Sequence, residues 1–275
     1  MPVAETAKVH PTAAVEEGAR IGPDCVIGPF CVVGAKVTLR PRVVLKSHAV
    51  VSGQTEVGED TVIFPFACVG EVPQDLKYNG ESTELRIGKR NRIREGATLN
   101  IGTRGGGGLT SVGDDCLFMT GAHVGHDCRV GDRVIMANQS ALGGHCVIGD
   151  RVIIGGLSGI HQFVRIGVGA IIGAVCIVRR DVIPYGHVQG PGAELSGLNL
   201  IGLRRQKEDR RAVAELQTAY RRLTESTEPF HDSVAALARE GFNSTLVNDI
   251  VKFVGADSGR SYLTPGVRID ARRSS

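Results

Sequence analysis

Four of the eight histidines, His123, His126, His145 and His161, fall in one short stretch of the chain. Imidazole is the side chain best suited to take and return a proton near neutral pH. His126 is followed directly by Asp127, whose carboxylate can hold an imidazole in the orientation a general base needs. No serine-elbow motif accompanies them, so direct attack by a bound substrate is expected, without a covalent enzyme intermediate. The run Gly105-Gly106-Gly107-Gly108 lacks the Lys-Ser/Thr of a phosphate-binding loop, which excludes a nucleoside-triphosphate site there. Seven cysteines with no Cys-x-x-Cys spacing argue against a disulfide framework.

The elements that must position these groups follow from a repeat of six. Aliphatic residues recur at Val9, Val15, Ile21, Ile27, Val33, Leu39 and onward to Val69, resume at Ile87, and run again from Val112 to Val178. Helices space apolar residues by three and four, and ordinary strands by two, so neither gives this ladder. Hexads with glycine often following the aliphatic residue, as in Ile21-Gly22 and Val130-Gly131, predict a parallel β-helix, three hexads to a coil. The second inward position, four residues on, is small or β-branched, and it takes up Cys25, Cys31, Cys116, Cys128, Cys146 and Cys176 as packing residues. His126 and Gly144 are 18 residues apart, so they stack on adjacent coils; His145 lies beside Gly144 and His161 about one coil further. All four histidines can therefore border one groove.

Composition agrees with a slim core: aromatic residues make up only 4% of the chain, tryptophan is absent and glycines number 37, so aliphatic and small side chains must fill the interior. The organisation expected is a left-handed β-helix over residues 1–190, interrupted by insertions at about 70–86 and 103–111, and a helical domain over 191–275. Insertions that leave a solenoid often line its binding site. The helical part opens with Arg204, Arg205, Lys207, Arg210, Arg211, Arg221 and Arg222, a patch suited to an acidic partner. The net charge of +3 is too small to indicate wholesale nucleic-acid binding. With no leader-like start and no long apolar run, the chain is expected in the cytoplasm with no membrane-spanning segment.

Hexapeptide prisms host both acyltransferases, with one histidine as base, and zinc lyases of the γ-carbonic-anhydrase kind, with three histidines from two subunits on the metal. Spacing alone leaves both open. The segments Gly70-Glu71-Val72-Pro73-Gln74-Asp75-Leu76-Lys77-Tyr78, Asn91-Arg92-Ile93-Arg94-Glu95, Ala122-His123-Val124-Gly125-His126-Asp127-Cys128 and Ile160-His161-Gln162-Phe163, with Asn199 and Gly202-Leu203-Arg204-Arg205, closely resemble the UDP-N-acetylglucosamine acyltransferase family of lipid A synthesis.

The resemblance implies a homotrimer with sites between neighbouring prisms, moving an (R)-3-hydroxyacyl group from acyl carrier protein to the 3-position of a UDP-sugar, with neither metal nor redox cofactor. It implies His126 as general base, Asp127 as its support and the Gly144 N–H as oxyanion donor. Asp75 and Lys77 then position the sugar, His123 contacts the nucleotide-sugar phosphates, and His145 and His161 make further groove contacts. Gln162, Asn199 and Arg205 fall at nucleotide- or acyl-contacting positions, and the basic patch faces the acidic carrier protein. Ala174 stands where family members set acyl length, and its size implies an intermediate tail of about 12 carbons. Two positions depart from the family pattern. Asn100-Ile101-Gly102-Thr103 replaces His-Arg-Gly-Thr and resembles members that acylate the 3-amino sugar, giving an amide in place of an ester. Ile201 replaces a glutamate near the nucleotide.

Overall fold

Strands of mostly two residues, such as His123–Val124, Arg129–Val130 and Ile135–Met136, alternate with four-residue turns. The computed structural model describes residues 3–226, 228, 230–256 and 259–263. Among these, parallel sheets of nine and eight strands form two faces of a prism, and a sheet of eleven strands, parallel up to its last pair, forms the third. The whole is a left-handed parallel β-helix followed by helices. His123 pairs with Ala141 and Ala141 with Gly159, so residues 18 apart stack, as the spacing requires.

The inward ladder is closed to water. Ile27, Leu45, Ile63, Ile93, Phe118, Met136, Ile154 and Ile172 are all buried, each contributing on the order of 1.5–3 kcal/mol through removal of its side chain from solvent. Buried thiols cap carbonyls of the next coil: Cys128 Sγ donates to Gly143 O at 3.1 Å and Cys146 Sγ to His161 O at 3.2 Å. Burial pushes the thiols of Cys25 and Cys31 up, and that of Cys116 to about 12, so these side chains pack and do not attack.

The turns share one design. Their third residue is left-handed, as at Asp24, Phe30, Arg42 and Phe66, with φ between 57° and 63°. Their second residue is often proline, as at Pro23, Pro29, Pro41 and Pro65, so the winding needs no backbone donor there. This matters for the site.

One corner, joining the nine-stranded sheet to the eight-stranded one, carries both insertions. Residues 72–83 connect Cys68–Glu71 to Glu84–Ile87, and residues 101–108 connect Thr98–Asn100 to Leu109–Val112. The turns at 125–128, 143–146 and 161–164 lie on the same corner.

The prism ends in an antiparallel hairpin, Gly186–Gln189 against Glu194–Leu198, which still belongs to the eleven-stranded sheet. The boundary expected at 190 from the hexads falls in the turn of this hairpin, whose strands no longer follow the hexad winding. Helices α1 (Leu200–Arg205), α2 (Arg210–Glu225), α3 (Phe230–Glu240) and α4 (Thr245–Gly255) follow. They are tied to the prism by buried polar contacts. Arg165 Nε donates to Asp181 at 2.7 Å, Arg165 also reaches Phe253 O and Tyr262 Oη, and Tyr185 Oη donates to Asp249 at 2.5 Å. Burial and the Asp249 carboxylate hold the Tyr185 hydroxyl well above its ordinary pKa.

Candidate active site

The turn Gly125–Cys128 carries the central pair. His126 Nδ1 lies 2.7 Å from Asp127 Oδ2, with the carboxylate fully buried and the imidazole 16% exposed. This hydrogen bond places the proton on Nδ1 and leaves Nε2 as the free lone pair. The second insertion grips the carboxylate from behind: Thr103 N donates to Oδ1 at 2.8 Å and Thr103 Oγ1 to Oδ2 at 2.6 Å. Asp127 N in turn donates to Thr110 Oγ1 at 2.7 Å. Glycine is required at 106, where a Cβ would stand 2.0 Å from the Asp127 carboxyl carbon.

Gly144 occupies the second turn position one coil further on. A Cβ there would lie 2.6 Å from both Cε1 and Nε2 of His126, so the glycine backbone abuts the basic edge of the imidazole. The Gly144 N–H donates to no other group among the described residues, in keeping with a turn position that takes proline elsewhere. The Gly144 backbone, whose N–H is not otherwise engaged among the described residues, and the His126 imidazole thus adjoin each other across one coil.

His145 packs edge-on against His126 with centroids 5.0 Å apart, and its other side stacks on Phe163 at 4.4 Å. Its Nδ1 lies 3.8 Å from Asp127 Oδ2. Burial lowers the His145 pKa; Asp127 opposes this and His126 reinforces it. His123 Nδ1 is 2.7 Å from Thr98 Oγ1, and burial, helped by the charge of His126, lowers its pKa as well. Both rings therefore favour the neutral form more than a free imidazole does. His161 and Gln162 are exposed on the same corner, the ring nitrogen Nδ1 of His161 3.1 Å from Gln162 O.

The first insertion brings Asp75 and Lys77 to this corner, Lys77 N donating to Asp75 Oδ1 at 3.0 Å. They line a cavity of about 590 Å³ with Tyr78, Glu81, Thr103 and Arg104. Asn100 is buried; its Nδ2 donates to Glu71 O and Val72 O, and its Oδ1 has no partner among the described residues.

Four residues named from sequence stand apart. Asn199 caps α1, accepting from Gly202 N at 2.9 Å and donating to Gly169 O at 2.9 Å, so its side chain is engaged structurally. Arg205 is exposed at the end of α1, and Ile201 is exposed on the same helix. Ala174 is exposed at a different corner of the prism, the one carrying residues 137–140 and 155–158. Sequence reasoning missed Thr103, Thr110 and Phe163 as neighbours of the pair. The one signal for Thr103 was its place in the motif that begins at Asn100.

His126, Asp127 and His145 present ligand atoms within 4.8 Å of one another, a spacing that could hold a metal ion. Both oxygens of Asp127 already accept from Thr103, and the His126–Asp127 hydrogen bond fills the space between two of the three atoms. This donor set fits a base and its orienting carboxylate better than a ligand cage.

A family model described as Udp N-acetylglucosamine O-acyltransferase, domain 2, matches residues 181–263. The acyl-[acyl-carrier-protein]–UDP-N-acetylglucosamine O-acyltransferase of Paracoccus denitrificans is 54% identical over 204 residues, spanning 74% of this chain and 77% of that protein. The enzyme of the same name from Rhizobium etli is 47% identical over 263 residues, 96% of this chain and 97% of that one. Among solved structures, a UDP-N-acetylglucosamine acyltransferase superposes with a TM-score of 0.86 at 39% identity, covering 96% of this chain and 99% of that one. The enzyme from Campylobacter jejuni gives a TM-score of 0.88 at 34% identity, covering 95% and 100%.

Proposed function

The chain belongs to the acyl-[acyl-carrier-protein]–UDP-N-acetylglucosamine O-acyltransferase family, and from that premise we propose that it transfers a 3-hydroxyacyl chain from acyl carrier protein to the 3-position of UDP-N-acetylglucosamine, the first step of lipid A synthesis. The observation that carries the mechanism is the close approach of the Gly144 backbone, whose N–H has no partner among the described residues, to the Nε2 edge of His126. His126 Nε2 takes the proton of the sugar hydroxyl as its oxygen attacks the thioester carbonyl. The carbonyl oxygen becomes an oxyanion held by the Gly144 N–H. Collapse forms the ester and expels the carrier thiolate, which recovers the proton from His126. A zinc lyase on the same scaffold gives way to this reading, since the named relatives are acyltransferases and Asp127 is already gripped by Thr103.

Other groups serve binding. Asp75 and Lys77, at the mouth of the first insertion, position the sugar, with Asn100 beneath. His123, half-buried with its pKa lowered by burial, donates to the nucleotide-sugar phosphates, while His145, His161 and Gln162 line the rest of the groove. Arg205 takes the nucleotide end, and Asn199 holds α1 so that it can. Ala174 lies on another corner of the prism, so for it to limit the acyl tail the tail must run between neighbouring prisms, which is the homotrimer with sites at its clefts that this reading includes. The exposed arginines of α1 and α2, including Arg204, Arg210, Arg211 and Arg221, suit docking of acidic acyl carrier protein. Among the described residues no helix is long and apolar enough to cross a membrane. Carrier-protein and nucleotide-sugar substrates, as the relatives' names give them, support a cytoplasmic reaction.

One observation favours a second acceptor. The buried Oδ1 of Asn100 is unpartnered, and an amine at the sugar 3-position offers more hydrogens to such an acceptor than a hydroxyl does. Incubating the protein with UDP-N-acetylglucosamine or its 3-amino analogue and a ladder of 3-hydroxyacyl carrier proteins, with products read by mass, decides between ester and amide. No acylated sugar with either acceptor refutes the function.

A further inference from the structure

Thr103 makes more contact with the catalytic carboxylate than any groove residue does. Its backbone N–H and its hydroxyl bind different oxygens of Asp127, at 2.8 and 2.6 Å, and its side chain is buried. The hydroxyl is itself oriented. Gly106 N donates to Thr103 Oγ1 at 3.2 Å, so the Thr103 proton is directed to Asp127 Oδ2. Thr103 O accepts from Gly106 N and Gly108 N, winding residues Arg104–Gly106 into a short helical turn around it. A Cβ at Gly102 would come within 2.9 Å of Asp127 Oδ1, and one at Gly106 would overlap the carboxyl group, so the glycines exist to let this loop close on Asp127.

We propose that Thr103 is a positioning residue: the second insertion folds so that Thr103 locks the Asp127 carboxylate in the rotation that keeps the His126 proton on Nδ1. Two charge-assisted donors fix the plane of the carboxylate, and its Oδ2 is thereby presented to the imidazole. With the hydroxyl gone, the backbone N–H alone remains, and the carboxylate can turn about that single bond. Part of the imidazole population then carries its proton on Nε2, where it cannot act as base. The proposal rests on His126 being the base, but its first test needs no turnover.

That test is the tautomer of His126, read by nitrogen NMR of histidine-labelled full-length protein without substrate, in the wild type, Thr103→Val and Thr103→Ser. Expected are a single Nδ1–H form in the wild type and Thr103→Ser, and a mixture in Thr103→Val. A Thr103→Val protein with the wild-type tautomer overturns the proposal, whereas a wild-type protein that has this tautomer but acylates no UDP-sugar overturns the functional reading instead. Turnover gives the second test. Thr103→Val is expected to lower kcat at least about tenfold with KM for both substrates unchanged, and Thr103→Ser to restore most of it. If Thr103→Val is poorly folded, the cycle with Asp127→Asn still decides using Thr103→Ala. A positioning residue adds nothing once Asp127→Asn is present, and full additivity of the two losses contradicts it.

Discussion

The α-carbon of Gly144 rests against the imidazole of His126 so closely that a single added carbon would stand 2.6 Å from Nε2. Those two residues are one coil apart, and turn-to-turn hydrogen bonds set their separation. His145 N donates to His126 O at 2.9 Å and Phe163 N to Gly144 O at 3.0 Å. The rigidity that a β-helix gains from backbone pairing is thus what holds the His126 imidazole and the Gly144 backbone in register.

Gly144→Ala is expected to displace the imidazole while leaving the coil intact. Transfer activity should fall by about 100-fold, the scale of a 1 Å misplacement, with the thermal midpoint little changed. Steady-state kinetics beside a melting curve checks this. Wild-type kcat in Gly144→Ala would mean that the ring has another resting place.

Asp127→Asn should be more damaging than its size suggests. Thr103 N already donates to Oδ1, so the new amide nitrogen must take the Oδ2 position facing His126 Nδ1. An N–H there donates to Nδ1 and moves the imidazole proton to Nε2. The expected loss in kcat is about 100- to 10,000-fold, with KM near its wild-type value.

Stability should rise with pH through the window just below the ordinary imidazole value of 6.5, because folding depresses the pKa of both His123 and His145. Between the depressed value and 6.5 the unfolded chain binds more protons than the folded one, so acid shifts the equilibrium toward unfolding. Thermal midpoints at about pH 7.5 and about pH 5.5 should differ, and His123→Gln should narrow that difference. An identical drop in both proteins counts against a role for His123.

The coils and the site corner were legible in the chain because every inward position obeys one spacing, so a difference of 18 converts directly into a stacked pair. Thr103 was not. It lies in a loop with no hexad frame, and its hold on Asp127 exists only after residues 101–108 fold back over the corner. An asparagine just before a helix has capping chemistry, and Asn199 uses its side chain so, accepting from Gly202 N and donating to Gly169 O. Ala174 follows the same spacing, which puts it on a different corner from His126.

Asp181→Ala should loosen the helices from the prism. It removes a fully buried carboxylate from Arg165, whose guanidinium is only 15% exposed and also binds Phe253 O and Ala256 O. A buried charge left without its counter-charge costs about 3–5 kcal/mol, which a denaturant titration will detect as a lower midpoint. No change in midpoint would show that the helical region adds nothing to the stability of the coils.

The most direct measurement is the single-turnover rate of acyl transfer from 3-hydroxyacyl carrier protein to UDP-N-acetylglucosamine by the wild type and by His126→Gln. Removing the base should slow the chemical step by about 1,000-fold while both substrates still bind. Equal rates in the two proteins would contradict proton transfer at His126, and with it the mechanism assigned to this corner.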